Sequence, residues 1–96
     1  LDNVFDLQNY FERRRIPYVM YNSLPNDFGD ETEDFKVIRN AINMDRFFSP
    51  NISQLEFVAD KGLIVSPEDP HLSAEGHMQW AKQLKDFIDA NNLRTI

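Results

Sequence analysis

Leu63-Ile64-Val65-Ser66-Pro67-Glu68-Asp69-Pro70-His71-Leu72-Ser73-Ala74-Glu75-Gly76-His77 decides how the chain reads, because three structural signals follow one another without a gap. Leu63-Ile64-Val65 is a brief apolar run after Gly62, the pattern of a short buried strand. Ser66 to Leu72 holds two prolines and two carboxylates and reads as a loop. Ser73 then caps a helix whose first turn carries Glu75, a charge that suits a helix N-terminus. In parallel α/β proteins reactive side chains gather at the carboxyl ends of strands, and Asp69 and His71 fall there. A carboxylate that accepts a hydrogen bond from one imidazole nitrogen fixes the tautomer and leaves the other nitrogen as a base. Pro70 restricts the backbone between them and keeps Asp69 out of helical conformation. Glu68, three residues before the histidine, is the competing acid. The bland reading of the same residues is an Asp-Pro turn beside an exposed histidine.

Outward from this stretch, Met78, Ala81, Leu84, Phe87 and Ile88 recur at helical spacing and predict the buried face of the last helix, which Asn91-Asn92 ends. Trp80 on that helix reads as partly buried at the domain edge. Upstream, Ser53 opens a short helix carrying Leu55, Phe57 and Val58, and Gly62 terminates it. Thr32 caps a helix over 33–43 with Phe35, Ile38, Ala41 and Ile42 on one face, and Met44 to Pro50 breaks it. Residues 2–14 form the first helix, closed by Arg13-Arg14-Arg15. Ile16 to Tyr21 is apolar on both faces, with Pro17 near its start, and reads as a strand between helix layers. Asn22 to Glu31 is a loop. The order helix, strand, helix, helix, strand, helix predicts one α/β domain over 1–96 with a parallel sheet. Two strands make a thin sheet, so either the chain is part of a larger α/β domain or self-association extends the sheet.

The chain has 10 basic and 16 acidic residues, a net charge of -6, which disfavours nucleic-acid binding. The Arg13–Arg15 cluster complements a helix C-terminus rather than a phosphate. With no cysteine, disulfides, thiolate catalysis and thiolate metal sites are excluded. No apolar stretch is long enough to span a membrane and no signal pattern opens the chain, so a soluble protein with no membrane partner is the default expectation. The start at Leu1, already in helical periodicity, suggests a piece of a longer chain. Asp69, His71, Glu75 and His77 carry metal-ligand chemistry, but only the helix start could gather them, so neither a metal nor a cofactor is expected. The acidic loop 26–31 lacks calcium-loop spacing and reads as solvated.

Gly76-His77-x-x-Trp80-Ala81-x-x-Leu84, joined to Asp69-x-His71-x-Ser73, resembles the final block of the SGNH (GDSL-type) hydrolases. The specific match covers Asp69 to Leu84, and a looser one covers most of the chain, equivalent to the C-terminal half of such a domain. The resemblance implies a flavodoxin-like α/β/α sandwich and hydrolysis of a small ester through a Ser-His-Asp triad, without a cofactor. It makes His71 the general base and Asp69 its orienting acid. Many members place the acid three residues before the histidine, which would select Glu68; Asp69 is preferred because it fits the Asp-x-His form. The family's Gly-Asp-Ser block and the blocks that supply the oxyanion Gly and Asn have no counterpart here. Ser23, Ser49, Ser53, Ser66 and Ser73 are present, none in a Gly-rich strand-to-helix turn. Asn22, the one tempting oxyanion donor, reads as a turn residue. The expectation is therefore a chain that supplies the histidine and the acid, inactive alone, with a missing N-terminal half or a homo-oligomer completing it. The alternative is a non-catalytic α/β self-association module.

Overall fold

A computed structural model describes residues 2–25 and 32–96, so the acidic stretch 26–31 lies outside the described residues. Four helices and a two-stranded antiparallel sheet make a mixed α/β structure among them: α1 (Asp2–Arg13), α2 (Glu33–Ala41), α3 (Gln54–Asp60), β1 (Ile64–Ser66), β2 (Asp69–Leu72) and α4 (Ala74–Ala90). None of these helices is long and apolar enough to cross a membrane.

Three helices end in the same way, and the local sequence explains two of them. Gly62 takes φ 68° after α3 while the Leu63 N–H reaches the Val58 carbonyl at 2.8 Å, the double-looped ending that glycine accommodates without strain. Asn92 does the same after α4 at φ 56°, with the Leu93 N–H donating to the Ile88 carbonyl. Arg15 after α1 also takes φ 56°, which costs a non-glycine residue about 1 kcal/mol. The Ile16 N–H to Phe11 carbonyl bond, at 2.9 Å, holds it there.

The sheet differs from the sequence expectation. The two segments read as strands, 16–21 and 63–65, do not pair with each other among the described residues. Ser66 to Leu72, read as a loop, instead folds back as β2, with Ile64 opposite Leu72 and Ser66 opposite Asp69. The Ser66 hydroxyl accepts the Asp69 N–H at 3.0 Å and closes the Pro67-Glu68 turn, a side-chain bond that proline counting overlooks. The extended 16–21 segment finds a parallel partner inside the stretch read as a simple break. Met20 bridges Phe47, its N–H donating to the Arg46 carbonyl at 2.9 Å and its carbonyl accepting the Phe48 N–H at 2.7 Å. A 3₁₀ turn, Met44–Arg46, delivers Phe47 to this position.

Around the bridge, Ile42 and Phe47 form a small core with Val4, Phe5, Met20 and Met44 packed against it. A second apolar centre surrounds Trp80, whose ring meets those of Phe48, Phe57 and Tyr21 at centroid distances of 5.0, 5.3 and 5.4 Å. Trp80 is 3% exposed, more deeply buried than expected, because three aromatic rings converge on it. The buried face of α4 is correspondingly rotated. Gly76 and Trp80 are its buried residues, while Met78, expected inside, is 67% exposed. Gly76 sets this rotation: a Cβ there would lie 2.5 Å from the Leu63 carbonyl oxygen, so only a glycine lets the helix come so near.

Polar side chains hold the α1 side together. Gln8, 2% exposed, exchanges two hydrogen bonds with the Asn43 backbone, at 2.8 and 3.1 Å. Buried Arg46 donates to the carbonyls of Tyr18, Leu93 and Thr95, tying the C-terminal segment to the extended strand.

Candidate catalytic dyad and adjoining cavity

Residues two apart on a strand project from the same face, and this is why β2 brings Asp69 and His71 together. The His71 ring Nδ1 lies 2.5 Å from Asp69 Oδ1, and the His71 backbone N–H donates to the same oxygen at 3.3 Å. Pro70 between them removes only a ladder donor, which an edge strand tolerates. The ring bond, and after it the backbone bond, holds the Asp69 carboxyl below its ordinary value. Among the described residues, Nε2 of His71 has no hydrogen-bond partner and Glu68 makes no bond to the ring. The geometry thus pairs His71 with Asp69. Both groups meet water: the side chains are 88% exposed for His71 and 50% for Asp69.

The hairpin is rigidly attached behind the dyad. Ser73 caps α4 by accepting the Gly76 N–H at 3.1 Å while its own hydroxyl donates to the Leu63 carbonyl at 3.0 Å. One side chain therefore fastens the start of α4 to the start of β1. Ser53 does comparable work for α3. It is fully buried and forms a complete capping box with Glu56.

His71 also lines a cavity of about 280 Å³ together with Ser23, Leu24, Leu55, Pro70 and Leu72. Its far wall is the chain just after the extended 16–21 segment. That wall is clamped to the first turn of α3, whose Gln54 and Leu55 N–H groups donate to the Asn22 and Ser23 carbonyls at 2.8 and 3.1 Å. Nothing in the local sequence links Ser23 to His71, so sequence reasoning treated Ser23 as one serine among five. The signal is tertiary. Asn22 is engaged elsewhere, its side-chain amide donating to the Pro50 carbonyl at 3.3 Å.

The other candidate ligands are not gathered. Glu75 accepts a hydrogen bond from Gln79 along α4, His77 is exposed on that helix, and no group of three or more acidic or histidine side chains converges among the described residues. The chain matches no protein-family model, no curated protein and no solved structure.

Proposed function

We propose that this chain is the base-supplying part of an SGNH-type ester or acyl hydrolase, with His71 as general base and Asp69 as the carboxylate that orients it. The observation carrying this reading is the 2.5 Å contact between Nδ1 and Oδ1, which leaves Nε2 without a hydrogen-bond partner among the described residues. The parallel bridge between Met20 and Phe47, with α2 connecting the two segments, supports a flavodoxin-like sheet of which these residues form one part. In this reading the serine and the oxyanion donors belong to a segment outside the 96 residues, as no serine here sits in a Gly-rich strand-to-helix turn; Ser49 takes φ 49°, but without a neighbouring glycine.

A bare, oriented imidazole still attacks an activated ester slowly, so p-nitrophenyl acetate tests the dyad in the chain as it stands. The expected result is slow release of p-nitrophenol that falls several-fold in His71→Ala, to the residual rate of the exposed His77 imidazole, and drops markedly in Asp69→Asn. Exposed His77 has no carboxylate partner among the described residues, so His77→Ala serves as the control and loses only a small part of the rate. Equal rates in all four proteins would remove the proposal.

A second reading, a non-catalytic self-association module, rests on a different observation. Met20 uses both backbone groups on the Phe47 side, while Val19 and Tyr21 make no backbone hydrogen bond among the described residues. Such an open edge invites another strand. Sedimentation showing a monomer at every concentration would dismiss it.

A further inference from the structure

We infer that the chain cuts itself between Asp69 and Pro70 in mild acid, with the Asp69 carboxylate as nucleophile and the His71 imidazolium as the acid that releases Pro70. This activity goes beyond the hydrolase reading and does not depend on it.

Three observations converge on this bond. Asp69-Pro70 is the single Asp-Pro step in the chain, and proline makes it a tertiary amide whose nitrogen leaves as a secondary amine. The step lies in the open, since every residue from 67 to 71 is exposed. The carboxyl is also folded over the bond itself. Asp69 Oδ1 accepts the His71 backbone N–H at 3.3 Å, which closes an Asx turn around the Asp69–Pro70 peptide, and the His71 ring Nδ1 lies 2.5 Å from the same oxygen. Residue 71 thus grips one carboxyl oxygen from two directions and leaves Oδ2 to attack. Nucleophile, bond and acid are held together before the reaction begins.

The step balances with water as the only co-reactant. Oδ2 attacks the Asp69 carbonyl carbon and closes a five-membered ring. The C–N bond to Pro70 breaks, and its electron pair takes the imidazolium proton. One water then opens the anhydride left on Asp69, its hydroxyl going to the acyl carbon and its proton returning to the imidazole. An imidazole gains its proton between about pH 8 and 5. The Asp69 carboxyl, held below its ordinary value chiefly by the His71 ring bond, stays ionised in that range. Around β2, β1 carries no titratable side chain, Glu56 of α3 accepts the Ser53 N–H, and Glu75 of α4 accepts from Gln79. Glu68, Asp60 and His77 are exposed.

The cut is a nick rather than a separation. Ser73 downstream still donates to the Leu63 carbonyl, Arg46 upstream to the carbonyls of Leu93 and Thr95, and Trp80 stays among Tyr21, Phe48 and Phe57. What is lost is the covalent link that keeps Asp69 beside His71.

Intact-mass analysis of the purified chain held at about pH 5 and about pH 8 tests the activity. Fragments 1–69 and 70–96 are expected at the lower pH, at least roughly tenfold faster than at the higher one. Hydroxylamine added during the reaction should leave a hydroxamate on Asp69, the mark of the anhydride. Asp69→Ala should abolish the cut. His71→Ala should slow it at least roughly tenfold without moving the thermal midpoint, because the ring is exposed. Pro70→Ala should slow the cut by a similar factor and keep p-nitrophenyl acetate turnover, which separates self-cleavage from ester hydrolysis. An intact chain in mild acid, or a cut in Asp69→Ala, would overturn the proposal. So would an unchanged rate in His71→Ala or in the urea-unfolded chain, which would reduce the event to the ordinary acid lability of an Asp-Pro bond.

Discussion

The chain treats its polar groups in two opposite ways. Around α1 and the 3₁₀ turn, Gln8, Glu12, Tyr18, Asn43 and Arg46 interlock: Glu12 Oε1 accepts from both the Tyr18 hydroxyl at 2.7 Å and the Asn43 amide at 2.9 Å. On the β1–β2 hairpin, Asp69 and His71 make one ring contact in the open. The first arrangement shields several bonds from water and joins segments distant in sequence, so it works as structure. The second leaves an imidazole nitrogen and a cavity accessible, so it is available for chemistry. Both carboxylates are held below their ordinary values by hydrogen bonds, Glu12 chiefly by Asn43 and Asp69 chiefly by His71. Burial, then Glu12, pushes the Tyr18 hydroxyl up. A lowered carboxylate pKa therefore does not by itself mark a functional acid.

The contrast breaks first at Arg46. Arg46→Ala leaves the Tyr18, Leu93 and Thr95 carbonyls without their donor and is expected to cost about 3 kcal/mol, read from urea unfolding midpoints. A loss below about 1 kcal/mol would mean that this side of the molecule is not held as described. The joint behind the hairpin comes next. Gly76→Ala forces its Cβ against the Leu63 carbonyl and should cost about 1.5 kcal/mol, overpacking partly offset by alanine's better helix propensity. A stabilised variant would show that α4 can retreat from β1.

The two carboxylates sharpen the comparison at the smallest scale. Each has a depressed folded-state pKa, so each contributes stability that is complete above the unfolded value and disappears as pH falls through the folded one. Shielding makes that contribution larger for Glu12, while solvent screens the exposed Asp69 contact. Between roughly pH 5 and 3, Glu12→Gln should flatten the acid-side fall in thermal midpoint, whereas Asp69→Asn leaves the curve almost unchanged. The reverse result would exchange the structural and functional roles assigned to the two regions.

Much of the local structure was legible. Ser53, Gly62, Ser73 and Asn91-Asn92 mark helix boundaries through capping and left-handed geometry that need only neighbouring residues. The contact between Asp69 and His71 was legible for the same reason, since the two are two residues apart, although β2 rather than a loop supplies the shared face. Other features were misread because distant segments decide them. Leu7, an apolar residue of α1, is exposed while polar Gln8 is buried, since Gln8 bonds both backbone groups of Asn43. Phe47 lay in an apparent break, yet its position follows from the bridge to Met20.

By itself, then, the sequence determined where helices start and stop and which acid can reach which imidazole, because those interactions close over a few residues. Only the tertiary structure decided which edges pair, which face of α4 is buried and that Ser23 shares a cavity with His71. Those outcomes depend on shape and hydrogen-bond partners brought from 20 or more positions away, between Met20 and Phe47 or Ser23 and Leu55, and no local pattern encodes them.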